Sequence, residues 1–237
     1  MTGAVLRRAD AAGVATLRLA RPESRNALNT GLLRRLSDEL DAVADDPGVR
    51  ALILCGEGAV FCAGADLKEF RGVAGERGAL RRIRLVSQVV GRLRNLEQPT
   101  VCAVSGAAFG AGWGLALACD LTYAAADATF SLPELPAGLR LPPAILHRLA
   151  EVVGPVRAAE IAYSGDAYTA DQALAWGWVG RVLPDSASAE KRAREVAGAL
   201  ARAPGTPTVH AKQVLRPRAG GLLTPPPEYT WNEEPSQ

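Results

Sequence analysis

The sequence predicts an α/β fold, with a core of buried strands followed by a helical C-terminal portion. Three observations carry that expectation. Residues 49–55 (VRALILC) and 100–104 (TVCAV) are short, almost wholly apolar runs, as expected of strands covered on both faces. Around them, apolar residues recur at helical spacing, at Leu33, Leu36, Leu40 and Val43 and again through the arginine-studded stretch 79–96. From Pro142 onward only helical patterns remain, each opening near Pro, Ser or Thr and most closing near Gly. The chain has 237 residues, 48% of them hydrophobic and 22% charged, which suits one α/β domain with a sizeable core.

In chain order, alternation over residues 14–19 reads as a strand. Asn29 or Thr30 can cap the helix that carries Leu33 to Val43, and Pro47-Gly48 ends it. The strand at 49–55 runs into a loop at 56–64, and a helix starts within 65–70 with Asp66 in its first turn. After the amphipathic helix at 79–96 come a strand at 100–104, a glycine loop at 106–112 and a buried helix at 113–119. Further strands follow at 121–125 and 129–132, then helices at 143–153, 155–163, 169–176 and 188–202. This organisation gives a core with its trailing helices over 1–202 and a short, proline-rich segment over 203–237. Seven of the 16 prolines fall from Pro204 onward, so a short helix at most is expected there before a weakly ordered tail.

Charge and composition exclude several function classes. With 27 basic and 25 acidic residues the net charge is +2, too little for a nucleic-acid or anionic-membrane surface without a local cluster. Residues 98–119 hold no formal charge over 22 positions, long enough to span a bilayer. Pro99, Ser105, Gly106, Gly110, Gly112 and Gly114 interrupt that stretch, so a strand, a loop and a buried helix fit it better, and no membrane partner is expected. Cys55, Cys62, Cys102 and Cys119 form no CxxC pair and read as buried free thiols in a reducing cytoplasm. The first ten residues carry Arg7, Arg8 and Asp10 and no apolar run, which argues against a secretory signal. His147 and His210 lie too far apart for most histidine-rich metal centres, so no metal is expected.

The chemistry is expected where two apolar strands each run through glycine into a helix: one at 49–67, the other at 101–114. The second helix has no Ser, Thr, Asp or Asn at its start, among Ala107 to Gly114, to cap it. Its first backbone N–H groups therefore need another partner, and such a terminus attracts negative charge. Two such junctions facing one cavity would give an oxyanion hole; otherwise the glycines only permit close strand–helix packing. Glu134 stands out among the acids, between Pro133 and Pro136 and among apolar residues just past a strand. A fixed backbone and low polarity would hold its carboxyl in place and raise its pKa toward that of a useful base.

Several stretches in this order resemble the crotonase superfamily, that is, the enoyl-CoA hydratase/isomerase family. They are Arg25-Asn26-Ala27-Leu28-Asn29, Phe61-Cys62-Ala63-Gly64-Ala65-Asp66-Leu67, Gln98-Pro99-Thr100-Val101, residues 106–112 (GAAFGAG), Ala118-Cys119-Asp120, residues 128–134 (ATFSLPE) and residues 173–182 (ALAWGWVGRV). The resemblance implies a crotonase-like spiral of ββα units, usually assembled as a homotrimer or homohexamer. It implies an acyl-CoA or acyl carrier protein thioester as substrate, with coenzyme A entering as part of that substrate and no further cofactor. By motif position, the backbone amides of Ala65 and Ala111 would hold the thioester oxygen. Arg25, Ala27, Ala63, Gly64 and Asp66 would line the path of coenzyme A, and Phe109, Gly110, Trp113 and Leu135 would bound the acyl pocket.

The family's hydratases use two glutamates. The second aligns with Glu134, whereas the first falls on Gly114, where a side chain is expected to point toward the same cavity. With one carboxylate left, the resemblance favours a double-bond isomerase working through a stabilised enolate. The alternatives are a hydratase or dehydratase, a decarboxylase or C–C bond-forming relative, and a non-catalytic subunit that binds an acyl thioester.

Overall fold

A computed structural model describes residues 4–9, 12–72 and 75–215. The strands β1 (Ala4–Ala9) and β2 (Val14–Ala20) open the chain as an antiparallel pair. Helix α1 (Thr30–Ala44) is capped by Asn29, whose Oδ1 accepts the Leu32 N–H at 2.7 Å. Then come β3 (Ala51–Gly56), α2 (Leu67–Gly72), α3 (Gly75–Asn95), β4 (Thr100–Val104), β5 (Ala107–Phe109), α4 (Ala111–Ala118), β6 (Leu121–Ala125) and β7 (Thr129–Ser131). The second half adds α5 (Pro143–Val153), α6 (Pro155–Ser164), β8 (Tyr168–Thr169), α7 (Ala170–Ala175), β9 (Arg181–Leu183), α8 (Ser186–Arg202) and α9 (Gly205–Leu215).

The main sheet has the order β1-β2-β3-β4-β6-β9, and every neighbouring pair from β2 onward is parallel. Alternation along β3 explains why both its faces are apolar. Leu52 and Leu54 join Leu17, Leu19, Val104 and Trp113 on one side, while Ala51, Ile53 and Cys55 meet Ala193, Ala197 and Ala201 of α8 on the other. A smaller sheet, β5-β7-β8, sits beside it. Trp113, Phe130 and Trp178 pack together there, with ring centroids 4.6 to 5.7 Å apart.

Local expectations are corrected at several points, among them the wholly helical stretch expected from Pro142 onward, which also carries β8 and β9. The stretch read as a loop over 106–112 contains β5, which pairs with β7, and the following helix starts at Ala111 instead of Trp113. Three residues are too few to show periodicity, and tertiary pairing alone makes them a strand. Residues 205–215 form an eleven-residue helix pinned by Lys212, whose Nζ donates to Gln98 O and pairs with Asp120, each at 2.6 Å. The tail expected beyond it lies outside the described residues. All four cysteines are buried and free. Among the described residues no helix is long and apolar enough to cross a membrane.

Candidate active site

The two strand-to-helix junctions run side by side. Past β3 the chain pairs in parallel with β5 around Cys62 and Ala108. The Cys62 N–H donates to Ala107 O and the Phe109 N–H to Cys62 O, both at 3.0 Å. Three residues later, at Ala65, the same ribbon pairs with Leu28, whose N–H donates to Gly64 O at 2.8 Å and whose carbonyl accepts the Asp66 N–H at 3.0 Å. In such a parallel bridge the middle residue turns its own N–H and C=O to the other side. Ala65 therefore presents its N–H away from Leu28.

Glycines let the junctions approach. Gly64 has φ +89°, and a Cβ there would stand 2.7 Å from the Phe109 carbonyl oxygen. A Cβ on Gly112 would meet the carbonyl, Cβ and Sγ of Cys62 at 2.6 to 2.8 Å. The N-cap of α4, Gly110, has no side chain to cap with, and the helical ladder begins only at the Gly114 N–H bonding Gly110 O at 3.0 Å. Ala111 thus keeps its N–H at an open helix terminus. Among the described residues, neither the Ala65 nor the Ala111 N–H donates to a protein group, and both residues line one cavity.

That cavity has a volume of about 210 Å³. Leu67 of α2, Ala79, Leu80, Ile83 and Val86 of α3, and Leu139 and Pro142 make its wall apolar. Arg82, Glu134 and Arg140 are its charged lining, so Glu134 is the one carboxylate among the described residues that face it. The loop holding Glu134 closes on itself: the Leu139 N–H bonds Glu134 O at 2.7 Å, and the Gly138 N–H bonds Leu135 O at 2.9 Å. The carboxyl lies over the Cα of Gly110, where a Cβ would overlap its Oε1. Its Oε2 is buried without a hydrogen-bond partner. Burial pushes the Glu134 pKa up to about 7, against a smaller opposing effect of a backbone hydrogen bond. A carboxylate so placed is a base matched to neutral pH.

The other expected residues divide. Gly110 underlies the carboxyl, whereas Trp113, Phe109 and Leu135 do not line the cavity. Trp113 is completely buried against Phe130 and Trp178, Phe109 belongs to the β5 ribbon, and Leu135 lies 37% exposed. Arg25, Ala27 and Ala63 lie outside this lining, on the ribbon around Ala65, where Arg25 O accepts the Ala63 N–H at 2.9 Å. Asp66 pairs with Arg21 at 3.1 Å and accepts the Lys68 and Glu69 N–H groups at the start of α2, so its carboxylate is engaged.

The expectation for Gly114 is overturned. A Cβ there would stand 2.5 and 2.6 Å from Cδ1 and Cγ1 of Ile145, a fully buried residue of α5. Positions three apart share a helix face. Ala111 and Gly114 thus share a face of α4: Ala111 lines the cavity together with Pro142, and Gly114 faces Ile145 of α5. Hydrocarbon fills the place of a second carboxylate. The sequence reading also missed the α3 wall, although Ala79, Leu80, Ile83 and Val86 carry the helical spacing of a buried stripe.

Residues 9–221 match the profile of the family described as enoyl-CoA hydratase/isomerase. The chain is 37% identical to a 2,3-dehydroadipyl-CoA hydratase of Escherichia coli strain K12, over 86% of this chain and 78% of that protein. It is also 37% identical to a 4-chlorobenzoyl coenzyme A dehalogenase of an Arthrobacter species, over 81% and 70%. Among solved structures, an enoyl-CoA hydratase/isomerase from Xanthobacter autotrophicus Py2 superposes with a TM-score of 0.82 at 33% identity, covering 89% of this chain and 78% of that one.

Proposed function

The chain belongs to the enoyl-CoA hydratase/isomerase family, and on that premise we propose that it moves the double bond of an enoyl thioester through an enolate, with Glu134 as its single base. In a 3-enoyl thioester the Glu134 carboxylate takes a proton from C2. The electron pair of that C–H bond enters conjugation with the thioester and the C3–C4 double bond, and negative charge develops on the thioester oxygen. The Ala65 and Ala111 N–H groups donate to that oxygen; such donors supply several kcal/mol because they are already oriented before charge develops. Protonated Glu134 returns the proton at C4, which leaves the 2-enoyl thioester. No atom is gained or lost, and no second acid is needed.

The observation that carries this reading is that Glu134 is the lone carboxylate among the described residues facing the cavity, while Ile145 occupies the space a side chain at Gly114 would need. Adding water to a conjugated double bond requires a held water, a group to take its proton and a proton for C2. One carboxylate can exchange protons in turn but cannot at the same time orient the water. The runner-up is a hydratase, supported by the names of several relatives, which would need an acid from beyond this lining. A panel of 3-enoyl, 2-enoyl and malonyl-type CoA thioesters, followed by chromatography and mass, separates them. The expected result is conversion of 3-enoyl to 2-enoyl thioesters, with hydration slower by ~10² or more, the usual worth of an acid–base group. Efficient hydration of the 2-enoyl series would establish the runner-up.

A further inference from the structure

The hydrogen bonds behind Ala65 form a line with a cation at its far end. Arg21 Nη1 donates to the Ala27 carbonyl at 2.5 Å. The N–H of that same peptide, on Leu28, donates to the Gly64 carbonyl at 2.8 Å. The N–H of that next peptide belongs to Ala65. A donor on a peptide carbonyl polarises the whole unit and strengthens its N–H, and the effect passes along a chain of such bonds. The guanidinium and the charge developing on a substrate oxygen thus stand at opposite ends of two peptides aligned in the favourable sense. We propose that Arg21 is a positioning residue for the oxyanion hole, fixing and polarising the Ala65 N–H through the Ala27–Leu28 and Gly64–Ala65 peptides. This rests on the reading of Ala65 and Ala111 as donors to the thioester oxygen.

The surroundings hold Arg21 to this task. Its side chain is 12% exposed, and its partner Asp66, 14% exposed, is bonded through its own N–H to the Leu28 carbonyl. The Arg21 N–H is bonded to Asn26 Oδ1 at 2.8 Å, which ties the arginine to the turn it acts on. From the other side Arg82, buried to 7% exposure, donates from Nη2 to the Leu28 carbonyl and pairs through Nη1 with Glu69 at 2.6 Å. Leu28 is thus held both at its N–H and at its carbonyl, and a lysine at position 21 would offer a single compact charge in place of the planar guanidinium that reaches the Ala27 carbonyl and Asp66 together.

The test reads the bound carbonyl directly. Wild type and Arg21→Met are mixed with a 2-enoyl-CoA carrying ¹³C at C1, and the thioester carbonyl stretch is taken by difference infrared spectroscopy. Wild type is expected to move the band to lower frequency. Arg21→Met is expected to lose a large part of that shift and to lower kcat on the order of tenfold, less than loss of a whole oxyanion donor, with KM little changed. Added guanidinium chloride is expected to restore part of both. A wild-type shift that Arg21→Met keeps in full overturns the proposal, whatever happens to its activity. If Arg21→Met does not fold by circular dichroism, Arg21→Gln, which keeps an N–H donor without the charge, takes its place under the same criterion. A wild type that moves no carbonyl band overturns the oxyanion reading itself, and the proposal with it.

Discussion

Glu134→Gln is expected to lower turnover by ~10²–10⁴ while thioester binding survives, because the amide keeps the volume of the carboxyl but cannot accept the C2 proton. Wild-type kcat/KM is expected to climb with pH and level off above about 7, where burial places the Glu134 titration. The residual activity of the variant is expected to be flat across that range. The same burial has a consequence for stability. A carboxyl whose pKa rises from 4.5 to about 7 on folding holds its proton more tightly in the folded state. Its contribution is therefore fully present below 4.5 and is lost as pH rises through about 7. Glu134→Gln, neutral at every pH, should match wild type in acid and exceed its Tm at pH 8. Thermal melts at several pH values check the stability, and initial rates check the chemistry. A variant retaining more than about a tenth of wild-type activity would remove Glu134 as the base, since such a group is worth at least ~10².

Gly110→Ala is expected to be nearly as damaging, for a geometric reason. Gly110 has φ 52° and ψ −124°, outside the regions open to residues with a side chain, and the new methyl would overlap Glu134 Oε1. Strain of this kind costs ~1–3 kcal/mol. Displacing the base by about an ångström costs ~10² in rate. Gly154→Ala provides the control, because Gly154 has φ 82° but nothing within 4 Å of a Cβ and lies away from the cavity. Both variants should lose stability in urea denaturation, and only Gly110→Ala should lose kcat. Equal kcat in the two would separate Gly110 from the placement of Glu134.

The parts of this fold legible in the sequence are those with local signals. Residues 100–104 are legible because burial on both faces leaves a short, almost wholly apolar run. Glu134 could be singled out because flanking prolines and apolar neighbours state both its rigidity and its dry surroundings. What stayed hidden depends on contacts between distant segments. Nothing in Ala107-Ala108-Phe109 announces a strand until β7 and the Cys62 ribbon lie beside it. Gly114 could be recognised as a missing acid, but only the packing of α5 shows that Ile145 occupies the space. Trp113 looked like a pocket wall because it neighbours the glycine loop. In a helix each residue turns by about 100°, so Trp113, two positions beyond Ala111, faces away from the cavity and into the core. Arg21 was missed because its role runs through two peptides and leaves no side-chain pattern.

The most direct measurement follows deuterium and water in a single reaction. A 3-enoyl-CoA is incubated with the protein in D₂O, and substrate and products are resolved by mass spectrometry and NMR. Chemistry through an enolate held by Ala65 and Ala111, with Glu134 moving the proton, predicts a 2-enoyl product. Any deuterium should enter at C2 of recovered substrate or at C4 of product, the rates of labelling and of product formation should both fall by ~10² or more in Glu134→Gln, and no 3-hydroxyacyl thioester should accumulate. Steady formation of the 3-hydroxyacyl thioester, or labelling and product formation in Glu134→Gln at more than about a tenth of the wild-type rate, would contradict it.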